Sequence, residues 1–421
     1  MKILLKSVFI TDPTSSHYQT NKDVLIIEGV YRSIEEEINN YDSDVEVIEC
    51  KDMCLSQGWV DLKSDFCDPG SEYKETIETG LEAASNGGYT HVCILPSTEP
   101  NIDGKTQVEY ILNKSKNSIT SAHPIGSITK KGQGKELAEM YDMHSSGVQL
   151  FSDDNIHVST GMLSRSLLYA KTIEATVAVF SSDPSLSNGS LVNEGIASLR
   201  TGMKSEPSIS EEIEVERNLS VLAYTEGKLH LTGVSTQKSV NLIKAAKSSG
   251  LNVTASVNIM NLLFNDEAVL NFDTNFKVKP PLRSAADQKA LLKGFLEGTI
   301  DTIDSDHRPK DIDEKDIEFS NAAFGGIQIQ TVFPSFNTSF SDYIQNLINA
   351  ISINSRKIAG IPLATIEEGE TVDATLYDTN QEFELNQKSI KSKMKNSPFL
   401  EKSFKGKVKA VINNNKHIIF E

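Results

Sequence analysis

The chain holds four cysteines, Cys50, Cys54, Cys67 and Cys93, and no two stand at Cys-x-x-Cys or zinc-ribbon spacing. Neither a redox pair nor a structural zinc of that kind is encoded, and a chain of 421 residues needs no disulfide staples. Basic charge is also short. Forty-one Lys and Arg against 58 Asp and Glu leave a net charge of −17, spread along the sequence, which argues against nucleic acid or an anionic membrane as a partner. No window approaches the ~18 apolar residues of a membrane span, and the opening MKILLKSVFITDP has too short an apolar run for a signal peptide. A cytoplasmic protein is expected. No Gly-x-Gly-x-x-Gly follows an early strand, so a dinucleotide-binding sheet is not indicated. Histidine is the scarcity that matters most: His17, His91, His123, His144, His157, His230, His307 and His417 are all there is, and no two sit at i, i+2 or i, i+4.

What is present is the composition of an ordinary globule, 38% hydrophobic and 24% charged. Between residues 57 and 362, β-branched runs alternate with amphipathic segments. The strands expected are Gly58–Leu62, Tyr89–Leu95, Pro124–Thr129, Gly147–Ser152, Thr176–Ser181, Lys228–Gly233, Leu251–Val257 and Ile300–Asp304. The helices expected between them include Glu72–Ala84, Lys135–His144, Ser164–Ile173, Ser239–Ser248 and Ala285–Leu296, several followed by glycine (Gly87, Gly88, Gly250, Gly298). Eight βα units predict an α/β fold, a (β/α)8 barrel over 57–362. Residues 1–56 and 363–421 alternate apolar and polar in strand fashion. Neither end can bury a core alone, so one small composite β-sandwich built from both termini is expected, with Gln381–Lys395 as a loop or arm.

The order of segments resembles the long, barrel-plus-sandwich type of dihydroorotase in the amidohydrolase superfamily. The resemblance runs over nearly the whole chain. It is carried by DPGSEYKETIETGLEAASNGGYTHVCILPSTEP (68–100), ITKKGQGKELAEM (128–140), FSDD (151–154), DPSLS (183–187), NEGIASLRTG (193–202), VSTQKSV (234–240), FDTNFKVKPPLR (272–283), GTIDTIDSDHRP (298–309) and TIEEGETVDATLYD (365–378). The resemblance implies one or two zinc ions that turn water into hydroxide, held by histidines from several strand ends, with a strand-end aspartate moving the proton.

Matched position by position, this chain departs from that pattern. The family's first strand ends Asp-x-His-x-His-x-Arg; the run here is Asp61-Leu62-Lys63-Ser64-Asp65-Phe66-Cys67. Phe180 and Gly233 stand at the two other histidine positions, while Asp153 and Asp306 keep the two carboxylate positions, Asp306 being the family's catalytic aspartate. Substrate positions change as well: Cys67 for arginine, Ser97 and Lys279 for asparagines, Lys310 for histidine. Asp306 is therefore expected to be idle and no metal is expected; the alternative is a hard cation held by oxygen alone, on Asp65, Asp153 and Asp306. Unshielded carboxylates at a strand end would repel, and Lys63 is expected to pair with Asp153 or Asp306.

These departures lead to a non-catalytic homologue whose surface does the work. The resemblance implies a partner in pyrimidine synthesis, aspartate carbamoyltransferase, or self-association into a homo-oligomer. Two rivals stand beside it. One is an active hydrolase of cyclic amides with an atypical metal site. The other is an anion-binding protein that uses the old pocket, with Lys63, Lys279, Arg308 and Lys310 around it.

Overall fold

The β-branched runs form eight parallel strands in the computed structural model, which describes residues 1–420. They are β1 (Trp59–Ser64), β2 (Tyr89–Ile94), β3 (Ser121–Pro124), β4 (Leu150–Ser152), β5 (Thr176–Phe180), β6 (Leu229–Thr232), β7 (Val253–Asn258) and β8 (Thr302–Asp304). Parallel ladders join β1–β2–β3 and β4–β5–β6–β7–β8. Single bridges, Gly126 to Phe151 and Ser64 to His307, close the two remaining seams. Closure leaves no open sheet edge and points all eight carboxyl ends to one mouth.

The third strand ends earlier than its β-branched content suggests. Ile125 and Gly126 still donate to the neighbouring strands, at Ile94 and Leu150, but beyond Gly126 the backbone N–H groups are used off the ladder: Ser127 donates to the Ile102 carbonyl, Thr129 to the Asp153 carboxylate and Lys130 to the Glu136 carbonyl. The helix expected at Lys135–His144 shortens to Met140–Ser145, after positive-φ residues Lys131, Gly132 and Gly134. The first barrel helix spans Ile77–Asn86 rather than opening near Glu72, because Thr76 caps it: its hydroxyl accepts from the Thr79 N–H at 3.2 Å. Gly87 and Gly88 then turn the chain into β2 where nothing larger fits, since a Cβ at Gly88 (φ +92°) would lie 2.4 Å from the Trp59 ring.

Both termini share one sheet, in the order Lys416–Ile419, Ser403–Asn413, Ala374–Glu384, Cys54–Gln57, Lys2–Ile10, Asn21–Ile27, Val30–Glu35, with Glu46–Glu49 also on Lys2–Ile10. These strands build the terminal β-sandwich domain around a core that includes Ile3, Leu5, Val24, Ile26, Tyr31, Leu376 and Ile412. The joint to the barrel is aromatic and ionic. Trp59, the single tryptophan, packs against Tyr89, Phe333 and Tyr377. Beside it Asp373 accepts from Arg356 Nη2 at 2.5 Å and lies 2.6 Å from His91 Nε2, while His91 Nδ1 is 2.8 Å from His123 Nε2. Of the expected arm, residues 381–384 belong to a strand, and the following segment straps the barrel mouth: the Ser392 hydroxyl and the Lys393 N–H donate to Glu75, Asn396 O accepts from Ile327 N, and Phe399 packs on Phe264. No helix among the described residues is long and apolar enough to cross a membrane.

Candidate functional site

The mouth is a layered set of buried charges. Lowest is Asp61 on β1, fully buried, accepting from the Ser305 N–H and hydroxyl, both at 2.8 Å. Burial raises its carboxyl above the usual range against those bonds. Asp304, at the end of β8, is pushed up to about 7 by burial and by the charge of Asp61, with the Ser256 hydroxyl and Lys63 pulling the other way. His230 on β6 lies at this depth too, its ring nitrogens 2.9 Å from Thr254 Oγ1 and 3.2 Å from Ser256 Oγ, and burial lowers it to about 3.

Above them Lys63 turns inward from β1 with its side chain 3% exposed, and its Nζ lies 3.2 Å from Asp306 Oδ1. This is an ion pair without a directed hydrogen bond, because the nitrogen has no hydrogen-bond acceptor. The same ammonium stands 5.7 Å from the centre of the Phe180 ring, and the Lys279 ammonium 5.6 Å from it. Asp306 also accepts from Arg308 Nε at 2.8 Å and from Asn258 Nδ2 at 3.1 Å. The Arg308 fork continues to Asp154, Nη1 to Oδ2 at 2.9 Å and Nη2 to Oδ1 at 2.5 Å. Burial works to raise Asp154, and the Arg308 charge and hydrogen bonds overcome it, bringing the carboxyl down to about 2.

The carboxylate that meets this cluster from β4 is thus Asp154 and not the expected Asp153. Asp153 points back to the loop after β3, accepting from Thr129 N at 2.9 Å and Thr129 Oγ1 at 2.5 Å. The positive φ of Asp154, +54°, swings the two neighbouring side chains to different sides. Nor is Asp153 a partner of Lys63. Asp65 is spent on its own turn, accepting from Cys67 N at 2.9 Å, so Asp65, Asp153 and Asp306 do not assemble as an oxygen cage. Among the described residues no three His, Cys, Asp or Glu side chains form a group that could hold a metal ion.

The remaining positions are equally occupied. Cys67 is buried and burial pushes its thiol up, which keeps it a poor nucleophile. Ser97 donates to Asp154 at 3.0 Å. Gly233 (φ +62°) faces Pro280 and Asn258, 3.2 and 3.4 Å from a notional Cβ. Lys310 is held through its backbone N–H by Asn396 Oδ1. His307 lies 3.7 Å from the buried Glu75, on the strap side. Outside the cluster, a cleft of about 530 Å³ opens between the loops after β5, β7 and β8, with Lys279, Lys277, Glu206 and Phe324 on its wall. The residues that position reading missed are Arg308, as the bridge, and Asp154. A guanidinium beside a strand-end aspartate, in Asp306-His307-Arg308-Pro309, was the available signal.

Solved structures place this arrangement in a class. The chain superposes on an L-hydantoinase (dihydropyrimidinase) from Arthrobacter aurescens with a TM-score of 0.87 at 19% identity, covering 99% of this chain and 96% of that one. A dihydropyrimidinase from Brevibacillus agri gives 0.83 at 18% identity, covering 100% and 95%. The fold is that of the amidohydrolase barrel with a terminal β-sandwich. Sequence carries the assignment further. The family described as dihydro-orotase-like matches residues 53–239. Dihydroorotases from a Thermoanaerobacter species and from Acetivibrio thermocellus are each 36% identical, covering 98% and 100% of this chain and 96% and 99% of theirs. The chain belongs to the dihydroorotase family. That family uses zinc, and the side chains here do not fit it: an ammonium, a phenyl ring and a glycine supply no donor, and Asp154 and Asp306 are already paired to cations.

Proposed function

We propose that this dihydroorotase-family chain does not activate water and acts as a structural or regulatory partner in pyrimidine synthesis, with aspartate carbamoyltransferase or a second copy of itself as the counterpart. The observation that supports it is the Lys63 ammonium, 3.2 Å from Asp306 at a position where the family resemblance calls for an imidazole ligand. Making hydroxide near neutral pH requires a cation with an open coordination position, which moves the pKa of water from roughly 15.7 to about 7. Lys63 and Arg308 are cations without coordination positions. Both oxygens of Asp306 are already engaged, Oδ1 by Lys63 and Arg308 and Oδ2 by Asn258.

The decisive experiment is hydrolysis of dihydroorotate, and ring closure of N-carbamoyl-aspartate, by the purified chain with and without added Zn²⁺. We expect no turnover in either direction. Rates comparable to a competent dihydroorotase would remove the reading. The partner half is tested by size-exclusion chromatography of the chain alone and mixed with the transcarbamoylase of the same cell, where co-elution or a defined homo-oligomer is expected. The active-hydrolase reading is supported by 36% identity along nearly the whole length, and the same assay decides it. The anion-binding reading is supported by the Lys279 ammonium, which has the Phe180 ring but no carboxylate beside it, at the rim of the cleft.

A further inference from the structure

We infer that Arg308 is a covalently built-in replacement for a metal cation: its fork ties the loop after β4 to the loop after β8, and with Lys63 it balances the charges of Asp154 and Asp306 so that the fold needs no divalent ion. This rests on the non-catalytic reading and goes beyond it, because a barrel can lose chemistry and still depend on metal for its shape.

The geometry is specific. One planar group reaches both oxygens of Asp154, at 2.9 and 2.5 Å, and Asp306 Oδ1 at 2.8 Å. Lys63 Nζ adds its charge to that last oxygen at 3.2 Å. Two cations thus face two carboxylates, and each of the four is less than a tenth exposed. A divalent ion placed there would meet two positive groups, and displacing either would leave a buried cation without its partner. Arginine suits the place better than lysine, since its donors are fixed in one plane and match carboxylates two at a time. The backbone accommodates it. Gly325 (φ +108°) passes so close that a Cβ there would lie 2.6 Å from Arg308 Cβ, and both bridged aspartates hold left-handed conformations, φ +54° for Asp154 and +48° for Asp306. Strain of this kind persists only where the surroundings fix it.

The test is thermal unfolding of the full chain, wild type and variants, with EDTA and with millimolar Zn²⁺, alongside metal content by mass spectrometry. Wild type should purify without stoichiometric metal, and its Tm should not move with either reagent. Arg308→Met should lower the Tm by about 5 °C or more. Arg308→Lys, which keeps the charge and loses the two-ended bridge, should fall between, and it carries the test if Arg308→Met does not fold. The double variant Lys63→Met, Arg308→Met leaves the carboxylates without cations and should regain Tm on adding Zn²⁺, where wild type does not. A wild-type Tm that drops in EDTA, or an Arg308→Lys variant identical to wild type, overturns the inference. Neither result depends on turnover, so the hydrolysis assay above fails or succeeds separately.

Discussion

Asp304→Asn should stabilise the protein at alkaline pH and not at acid pH. Asp304 sits fully buried at the end of β8, with Oδ2 accepting from the Ser256 hydroxyl and Oδ1 without a partner. Burial first, and then the charge of Asp61, raise its carboxyl from 3.8 to about 7. The sign follows from linkage. The folded state holds this proton to a higher pH than the unfolded state, so the stability it contributes is fully present below 3.8, declines as pH rises, and is gone once pH passes about 7. The span is 1.36 × (7 − 3.8), on the order of 4 kcal/mol. An asparagine keeps the acceptor for Ser256 and cannot ionise, but brings an amide N–H2 group whose burial costs about 1–3 kcal/mol if unpaired. At pH 8 the variant should gain about 1–3 kcal/mol on wild type; at pH 5, where wild type has lost only about 1.6 kcal/mol of that span, the amide cost offsets the gain and the variant should be equal or worse. Urea unfolding of both proteins at pH 5, 6, 7 and 8 reads the difference directly. The quantity to watch is its slope, since the amide cost is common to every pH. A stability difference that stays constant to within about 0.5 kcal/mol over that range would refute the placement of a proton on Asp304.

Other consequences are as direct. Lys63→Met removes one cation from Asp306 while Arg308 and Asn258 stay, so a loss near the low end of the 3–5 kcal/mol typical of broken buried pairs, about 2–3, is expected by urea unfolding at pH 7. Because Lys63 also pulls Asp304 down, the same change should move the alkaline limb of the stability profile to higher pH. His230 is lowered by burial from 6.5 to about 3, so the stability tied to its neutral form is complete above pH 6.5 and lost as pH falls toward 3; His230→Gln should flatten that acid limb in fluorescence-monitored titration. Gly58→Ala would place a Cβ 2.0 Å from Asp373 Oδ1 and 2.1 Å from Thr90 Oγ1, at the joint of barrel and sandwich. It should cost upwards of about 3 kcal/mol in chemical denaturation or prevent soluble expression.

How far such sites could be read from the sequence depends on what fixes each feature. The eight-strand order was legible because apolar periodicity and the glycines after helices are local signals, and the superposition on hydantoinase barrels agrees with it. The third strand was misplaced for the same reason: Ile125, Ile128 and Thr129 have strand character, yet the N–H groups of Ser127 and Thr129 are drawn off the ladder by Ile102 and Asp153, far along the chain. The substitutions at positions 63, 180 and 233 were visible as residue types. Their arrangement was not, since it turns on two backbone angles. Asp153 and Asp154 are chemically identical neighbours, and only the positive φ of Asp154 decides which one meets Arg308; the positive φ of Asp306 likewise lets Lys63, Arg308 and Asn258 converge on one carboxylate. Neither angle belongs to a glycine, and although aspartate is enriched in the left-handed region among non-glycine residues, that preference is the same for Asp153 and Asp154 and cannot choose between them. Both conformations turn a carboxylate onto the same buried guanidinium, whose hydrogen bonds favour them. An identical pair of aspartates opposite an alanine at position 308 would lose that selection, and Arg308→Ala should therefore relax the loops after β4 and β8 together, seen as joint loss of hydrogen-exchange protection at residues 153–156 and 305–308 while β2 stays protected.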